Sequence, residues 1–184
     1  MRSNLEKIKE GMDVRESFIV LQALDIPNPL CAEIGTWVGK NAEIMLDLDT
    51  TMTLHCIDAY TNVGVTDDYS EGQPEDVQTK ARERLARFGD RVKLVYQQSE
   101  VAYSTYPDEY FDYIYIDGDH SYFGAYRDMK TWWPKVKKGG VLGGHDITMG
   151  SVAKAVVDFG TDNCMLPKLY KVEGNGRSDW WVEK

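Results

Sequence analysis

The chain has 184 residues, with 21 Lys and Arg against 30 Asp and Glu, a formal net charge of −9. Hydrophobic residues make up 42% and charged residues 28%, the balance of a globular domain with one core. The acidic excess argues against a nucleic acid as the main partner, because phosphate binding calls for a basic face. It leaves room for a small anionic ligand held by backbone amides.

Taken from the start, MRSNLEKIKEGMD lacks the apolar core of a signal peptide. No apolar run approaches the ~20 residues of a membrane helix. Phe18 to Leu24, interrupted by Gln22, reads as the buried stripe of a short helix. Short apolar strands then alternate with amphipathic helices, the pattern of a parallel α/β sheet. The first strand is Leu30 to Ile34, followed by a helix over Asn41 to Leu48. The second, Thr53 to Ile57, ends at Asp58. A helix from about Pro74, a favourable first-turn position, places Val77, Ala81, Leu85 and Phe88 on one face. Val92 to Tyr96 is the third strand and Tyr113 to Ile116 the fourth. The helix from Tyr122 to Trp133 stops against Pro134. Gly139 and Gly140 turn the chain into a fifth strand, Val141 to Gly144, and a helix spans Val152 to Phe159. Two late strands, Leu169 to Val172 and Asp179 to Val182, flank the hairpin turn Gly174-Asn175-Gly176.

Two cysteines, Cys31 and Cys56, sit inside strand runs, and Cys164 stands apart. An odd count without CxxC spacing reads as reduced core thiols and a cytoplasmic location. The segment Thr61 to Gln73 has neither helical nor strand period and is long for an α/β connection, so it is a candidate binding loop.

Chemistry enters at strand ends. Glu33-Ile34-Gly35-Thr36-Trp37-Val38-Gly39 joins the first strand to a helix, where glycines permit close backbone approach and the helix start offers free amides. Asp58 follows Gly39 by 19 positions, the spacing at which an acid accepts ribose hydroxyls in nucleotide-type folds. The dinucleotide pattern G-x-G-x-x-G is missing because Trp37 takes its middle place. Glu33 is also unsuited to a diphosphate, yet suits an ammonium group. S-adenosylmethionine carries both ribose and ammonium. Farther on, the fourth strand runs into Asp117-Gly118-Asp119-His120 and the fifth into His145-Asp146. Neighbouring parallel strands end on one edge, so these residues converge on one crevice. Carboxylates with imidazole suit Mg²⁺ or another divalent metal, and a histidine there can act as general base. His55, within a strand, reads as a satisfied sheet-face residue. Asp117 and Asp119 could instead serve as caps for the following helix.

These motifs together resemble the class I S-adenosylmethionine-dependent methyltransferases, of the small O-methyltransferase type called methyltransferase family 24. The resemblance is carried by EIGTWVGKN (33–41), IDAY (57–60), FDYIYIDGDHSY (111–122) and WWPKVKKGGVLGGHD (132–146). It implies a Rossmann-like α/β fold with a seven-stranded sheet in order 3-2-1-4-5-7-6, strand seven antiparallel and helices on both faces. It also implies one domain over 1–184, with an N-terminal helical segment (1–29) ahead of the cofactor-binding core (30–184). The cofactor, S-adenosyl-L-methionine, would meet Glu33, Gly35, Thr36, Trp37, Gly39, Asp58 and Asp117, with Gln98, Ser99 and Glu100 near adenine. A metal would be held by Asp117 or Asp119 with His145 and Asp146, and His120 or His145 would be the base beside Asp117. The expected reaction is methyl transfer to a hydroxyl of a small molecule, sugar-like or natural-product-like. Neither nucleic acid nor membrane is expected as partner, and a homo-oligomer is left open. The rivals are a non-catalytic cofactor-binding module, which has no need of the strand-end acids and histidines, and a metal-dependent hydrolase, which would bind metal without cofactor.

Overall fold

The computed structural model describes residues 14–60, 74–171 and 178–184. Seven strands form one sheet: β1 (Leu30–Ile34), β2 (Thr53–Ile57), β3 (Val92–Val95), β4 (Phe111–Ile116), β5 (Val136–Gly144), β6 (Lys168–Lys171) and β7 (Ser178–Glu183). Their order is β3-β2-β1-β4-β5-β7-β6, with β7 antiparallel to both neighbours, as the resemblance implies. The helices are α1 (Glu16–Ala23), α2 (Lys40–Leu48), α3 (Pro74–Leu85), α4 (Ser99–Ala102), α5 (Tyr122–Trp132) and α6 (Gly150–Asp162).

Strand alternation divides the apolar residues between two cores. Ala32, Ile34, Ile114 and Ile116 point to one face, where α5 and α6 cover them with Ala125, Met129, Trp132, Val156 and Phe159. Cys31, Tyr113, Tyr115 and Val141 point to the other, covered by Phe18 and Leu21 of α1, Met45 and Leu46 of α2, and Leu85 of α3. Most strand residues are therefore buried on both faces, which is why the strands read as continuous apolar runs. Val77, Ala81 and Leu85 are buried as their spacing requires. Cys31 and Cys56 are buried free thiols, whereas Cys164 is exposed.

Several boundaries differ from the sequence reading. β5 starts at Val136, not Val141. Its pairing with β4 jumps from Phe111↔Val136 to Tyr113↔Val141, so Lys137 to Gly140 form an irregularity within the strand. Gly139 takes a left-handed φ of 79° there. The two glycines thus bend a strand where the sequence suggested they begin one. α6 is longer than its apolar stripe, and α4 has too little period to show in sequence. Thr61 to Gln73, Val172 and the Gly174-Asn175-Gly176 turn lie outside the described residues.

The register fixes the business edge. Ile34 pairs with Ile57 on one side and Ile116 on the other, and Ile116 pairs with Gly144. The next residues, Gly35, Asp58, Asp117 and His145, therefore stand in one row at the carboxyl ends of four parallel strands. The chain turns opposite ways on the two sides of β1 and β4, and that reversal opens a crevice there.

Candidate active site

The turn after β1 is held against the end of β4. Gly35 donates its amide to Ile57 O (2.9 Å), and Asp117 donates its amide to Ile34 O (2.8 Å). Gly35 has φ 86°, and a Cβ there would fall 2.2 Å from the Asp117 carbonyl oxygen. No other residue fits. Gly39 (φ 76°) is the N-cap of α2 and has no side chain with which to cap it, and a helix start is a place where backbone amides can meet a ligand.

Asp58 is fixed on the opposite wall. Trp37 donates its amide to Asp58 Oδ2 and Tyr60 its amide to Oδ1, both at 2.9 Å. The Tyr60 hydroxyl donates to Trp37 O (3.1 Å), which ties the two turns together. Trp37 and Tyr60 both have φ 50°, an unusual backbone for bulky residues. Such outliers gather where a site over-determines the chain. Tyr96 lies beside Tyr60, with ring centroids 6.0 Å apart.

Glu33 sits beneath this turn and is 1% exposed. Asn41 Nδ2 donates to its Oε1 (2.8 Å), while Oε2 has no hydrogen-bond partner among the described residues. Burial pushes its carboxyl up to about 8, against the Asn41 hydrogen bond, which pulls it down. Thr36 is buried on the same turn. Asn41 escaped the sequence reading, although its place in the first turn of α2, next to Glu33, was a usable signal.

Across the crevice, Asp117, His120 and Asp146 come together, each offering one ligand atom, all within 4.8 Å of one another. His120 Nε2 is 3.4 Å from Asp117 Oδ1 and 3.1 Å from Asp146 Oδ2. The Asp117 hydrogen bond raises the His120 pKa against burial, with the Asp146 charge adding to it. Ser151 Oγ donates to the His120 carbonyl (2.7 Å), tying the loop after β4 to α6. Asp146 has a left-handed φ of 57°.

His145 lies one step away. Its Nδ1 is 3.2 Å from Asp146 Oδ1, and Arg15 Nη1 donates to its Nε2 (3.0 Å). The hydrogen bond from His145 lowers the Asp146 pKa, against burial. The cluster thus takes His120 where the sequence placed His145. Asp119 stays outside it: its Oδ1 accepts the Ser121 amide (2.8 Å) ahead of α5. The N-cap itself is Ser121, which accepts the Gly124 amide. Ser99 is not free either. Its hydroxyl donates to Asp128 (2.8 Å) and accepts from Trp132 Nε1 (2.7 Å), so the side chain is already engaged. His55 pairs with the Tyr106 hydroxyl (3.0 Å), the satisfied strand residue expected of it.

The residues suit S-adenosylmethionine. A glycine turn at minimum clearance, a helix start with glycine at its N-cap, a buried acid with one oxygen unpartnered among the described residues and a carboxylate held at the second strand end suit its backbone-contact, ammonium and ribose needs. A family model described as a methyltransferase domain, that of methyltransferase family 24, matches residues 32–147. The chain belongs to this family. It is a class I S-adenosylmethionine-dependent methyltransferase. No curated protein matches the sequence.

Solved structures share the fold. The O-methyltransferase NovP is similar at TM-score 0.69 and 15% identity, over 92% of this chain and 77% of that one. A precorrin-6y C5,15-methyltransferase from Geobacter metallireducens gives 0.66 and 15%, over 91% and 87%. An O-methyltransferase from Bacillus cereus, in complex with S-adenosylhomocysteine, gives 0.65 and 15%, over 100% and 88%. Among the described residues no helix is long and apolar enough to cross a membrane.

Proposed function

We propose that this methyltransferase acts on a hydroxyl of a small molecule and that a divalent cation, Mg²⁺ or a relative, assists it. The observation that carries this reading is the convergence of Asp117, His120 and Asp146 beside the Gly35 turn. A carbon or amine acceptor needs no such group, whereas an aliphatic hydroxyl is a poor nucleophile until its proton is loosened. Two carboxylates and one imidazole form a donor set suited to Mg²⁺, Mn²⁺ or a transition metal.

The cofactor supplies an electrophilic methyl on a sulfonium. Asp58 would accept the ribose hydroxyls, Gly35, Thr36, Trp37 and Gly39 would line the turn over its methionine end, and Glu33 would answer the ammonium. Ser99 would lie near the adenine. Asp117, at the end of β4, would face both reactants, and holding them in line would supply about 7–11 kcal/mol of the barrier. A cation held by Asp117, His120 and Asp146 would lower the pKa of a neighbouring hydroxyl. His120 Nε2 would then serve as ligand and the loosened hydroxyl proton would pass to solvent, whereas in the cation's absence His120 would be the group to take that proton. An acidic surface and a crevice of this kind favour a small acceptor over a nucleic acid, and buried free thiols suit the cytoplasm.

The test is Mn²⁺ titration, followed by electron paramagnetic resonance, into wild type and Asp146→Asn loaded with S-adenosylhomocysteine. One bound Mn²⁺ in wild type, weakened at least tenfold in the variant, supports the reading. Wild type without bound Mn²⁺ overturns the cation and shifts the proton to His120.

A further inference from the structure

We infer that Arg15 is a positioning residue, whose hydrogen bond fixes the His145 tautomer and thereby aims Asp146 Oδ2 at the reacting group. The inference rests on the cation reading above for its consequence, though not for its geometry.

Arg15 is held in place by the start of α1, which is pinned to three strands. The Glu16 amide donates to Asp179 Oδ2 of β7 (2.7 Å), and Asp179 is 1% exposed. Ser17 Oγ shares a buried hydrogen bond with the Tyr113 hydroxyl of β4 (2.7 Å). Gly143 of β5 lies so close to the helix that a Cβ there would fall 2.4 Å from Ser17 Cβ. Three contacts within two residues leave the Arg15 side chain over the ends of β5 and β7.

Hydrogen-bond direction follows from chemistry. A guanidinium has donors only and keeps its charge at any working pH. The 3.0 Å contact from Arg15 Nη1 therefore requires a lone pair on His145 Nε2. The ring proton must then be on Nδ1, which points at Asp146 Oδ1 (3.2 Å). With Oδ1 engaged, Oδ2 is the oxygen left for the group, and it is the one 3.1 Å from His120 Nε2. The polar chain thus runs Arg15, His145, Asp146, His120, each member setting the next. A ring that donates to a ligating carboxylate is the usual way a surrounding shell orients a metal group. His145 loses its free lone pair to Arg15 and is thereby removed as a base.

The experiment compares wild type, Arg15→Met and Arg15→Lys. The chain has three histidines, so long-range ¹H–¹⁵N spectra resolve each ring, with His145→Asn assigning the signal. Wild-type His145 is expected as the Nδ1–H form, Arg15→Lys keeps it, and Arg15→Met loses it. Mn²⁺ should bind Arg15→Met 10–100-fold more weakly, the usual cost of losing such an outer partner, while S-adenosylhomocysteine affinity stays within a few-fold. The sign is diagnostic: were Arg15 merely a nearby positive charge, its removal would tighten Mn²⁺ binding. An Nε2–H ring in wild type, an unchanged tautomer in Arg15→Met, or tighter Mn²⁺ binding overturns the inference. Should Arg15→Met not fold, the wild-type tautomer and Arg15→Lys still decide it. If wild type binds no Mn²⁺, the cation reading fails, and the tautomer comparison judges Arg15 separately.

Discussion

Glu33→Gln removes a buried titratable carboxyl while keeping an acceptor for Asn41, and its effect should depend on pH in a defined way. Burial displaces the Glu33 carboxyl from an ordinary 4.5 to about 8. At ~1.4 kcal/mol per pH unit, that displacement is worth about 5 kcal/mol in full. The folded state thus keeps a proton that the unfolded chain gives up between about pH 4.5 and 8. Stability tied to Glu33 is therefore complete below pH 4.5 and declines as pH rises toward 8. The accumulated loss is about 1 kcal/mol at pH 5 and about 3 kcal/mol at pH 7. Glutamine has no such proton, so its stability relative to wild type should rise by roughly 2 kcal/mol over that interval, on top of a constant offset from the new amide. Urea unfolding of both proteins at pH 5, 6 and 7 reads this directly. A difference that stays flat over the interval would refute the reasoning, because it would mean that Glu33 is already ionised in the fold. The same proton has a functional consequence. A cofactor ammonium beside Glu33 favours the carboxylate, so S-adenosylhomocysteine binding at pH 7 should release close to one proton, visible as a heat that varies with buffer ionisation enthalpy.

Two further outcomes follow from packing and hydrogen bonding. Gly35→Ala meets both a left-handed backbone and a carbonyl oxygen 2.2 Å away, and should cost roughly 3 kcal/mol or more in urea melts, with loss of S-adenosylhomocysteine binding. Trp132→Phe takes from Ser99 its buried donor, and should cost about 1–3 kcal/mol of stability with cofactor affinity changed by no more than a few-fold. A large affinity loss there would mean that Ser99 reaches the cofactor through its side chain.

The alternation of strands and helices was legible from the residues themselves, whereas the sheet order came from the family resemblance that the glycine turn, Asp58, the Asp117 run and the His145-Asp146 pair carry. Register did the rest, since Ile34, Ile57, Ile116 and Gly144 align and carry the following residues to one row. What spacing could not decide was side-chain direction. Asp117, Asp119 and His120 leave the same strand end, and the group takes the first and third because Asp119 is claimed by the Ser121 amide. His145 was a sound metal candidate by position, yet Arg15, 130 residues away in sequence, occupies its outer nitrogen. Nothing local marks Arg15, whose role depends on how α1 docks on β4, β5 and β7. The double glycine misled for a similar reason: a strand irregularity and a turn draw on the same residues, and only the pairing with β4 separates them.

The central claim, a methyl-donor pocket between the β1 turn and Asp58, is tested most directly by calorimetric titration of S-adenosylhomocysteine into wild type and Asp58→Ala. The charge-assisted bonds that Asp58 would make to the ribose are worth roughly 1.5–3 kcal/mol, so the variant should bind about 10–100-fold more weakly. Absence of binding to wild type, or equal affinity in the two proteins, would contradict the account.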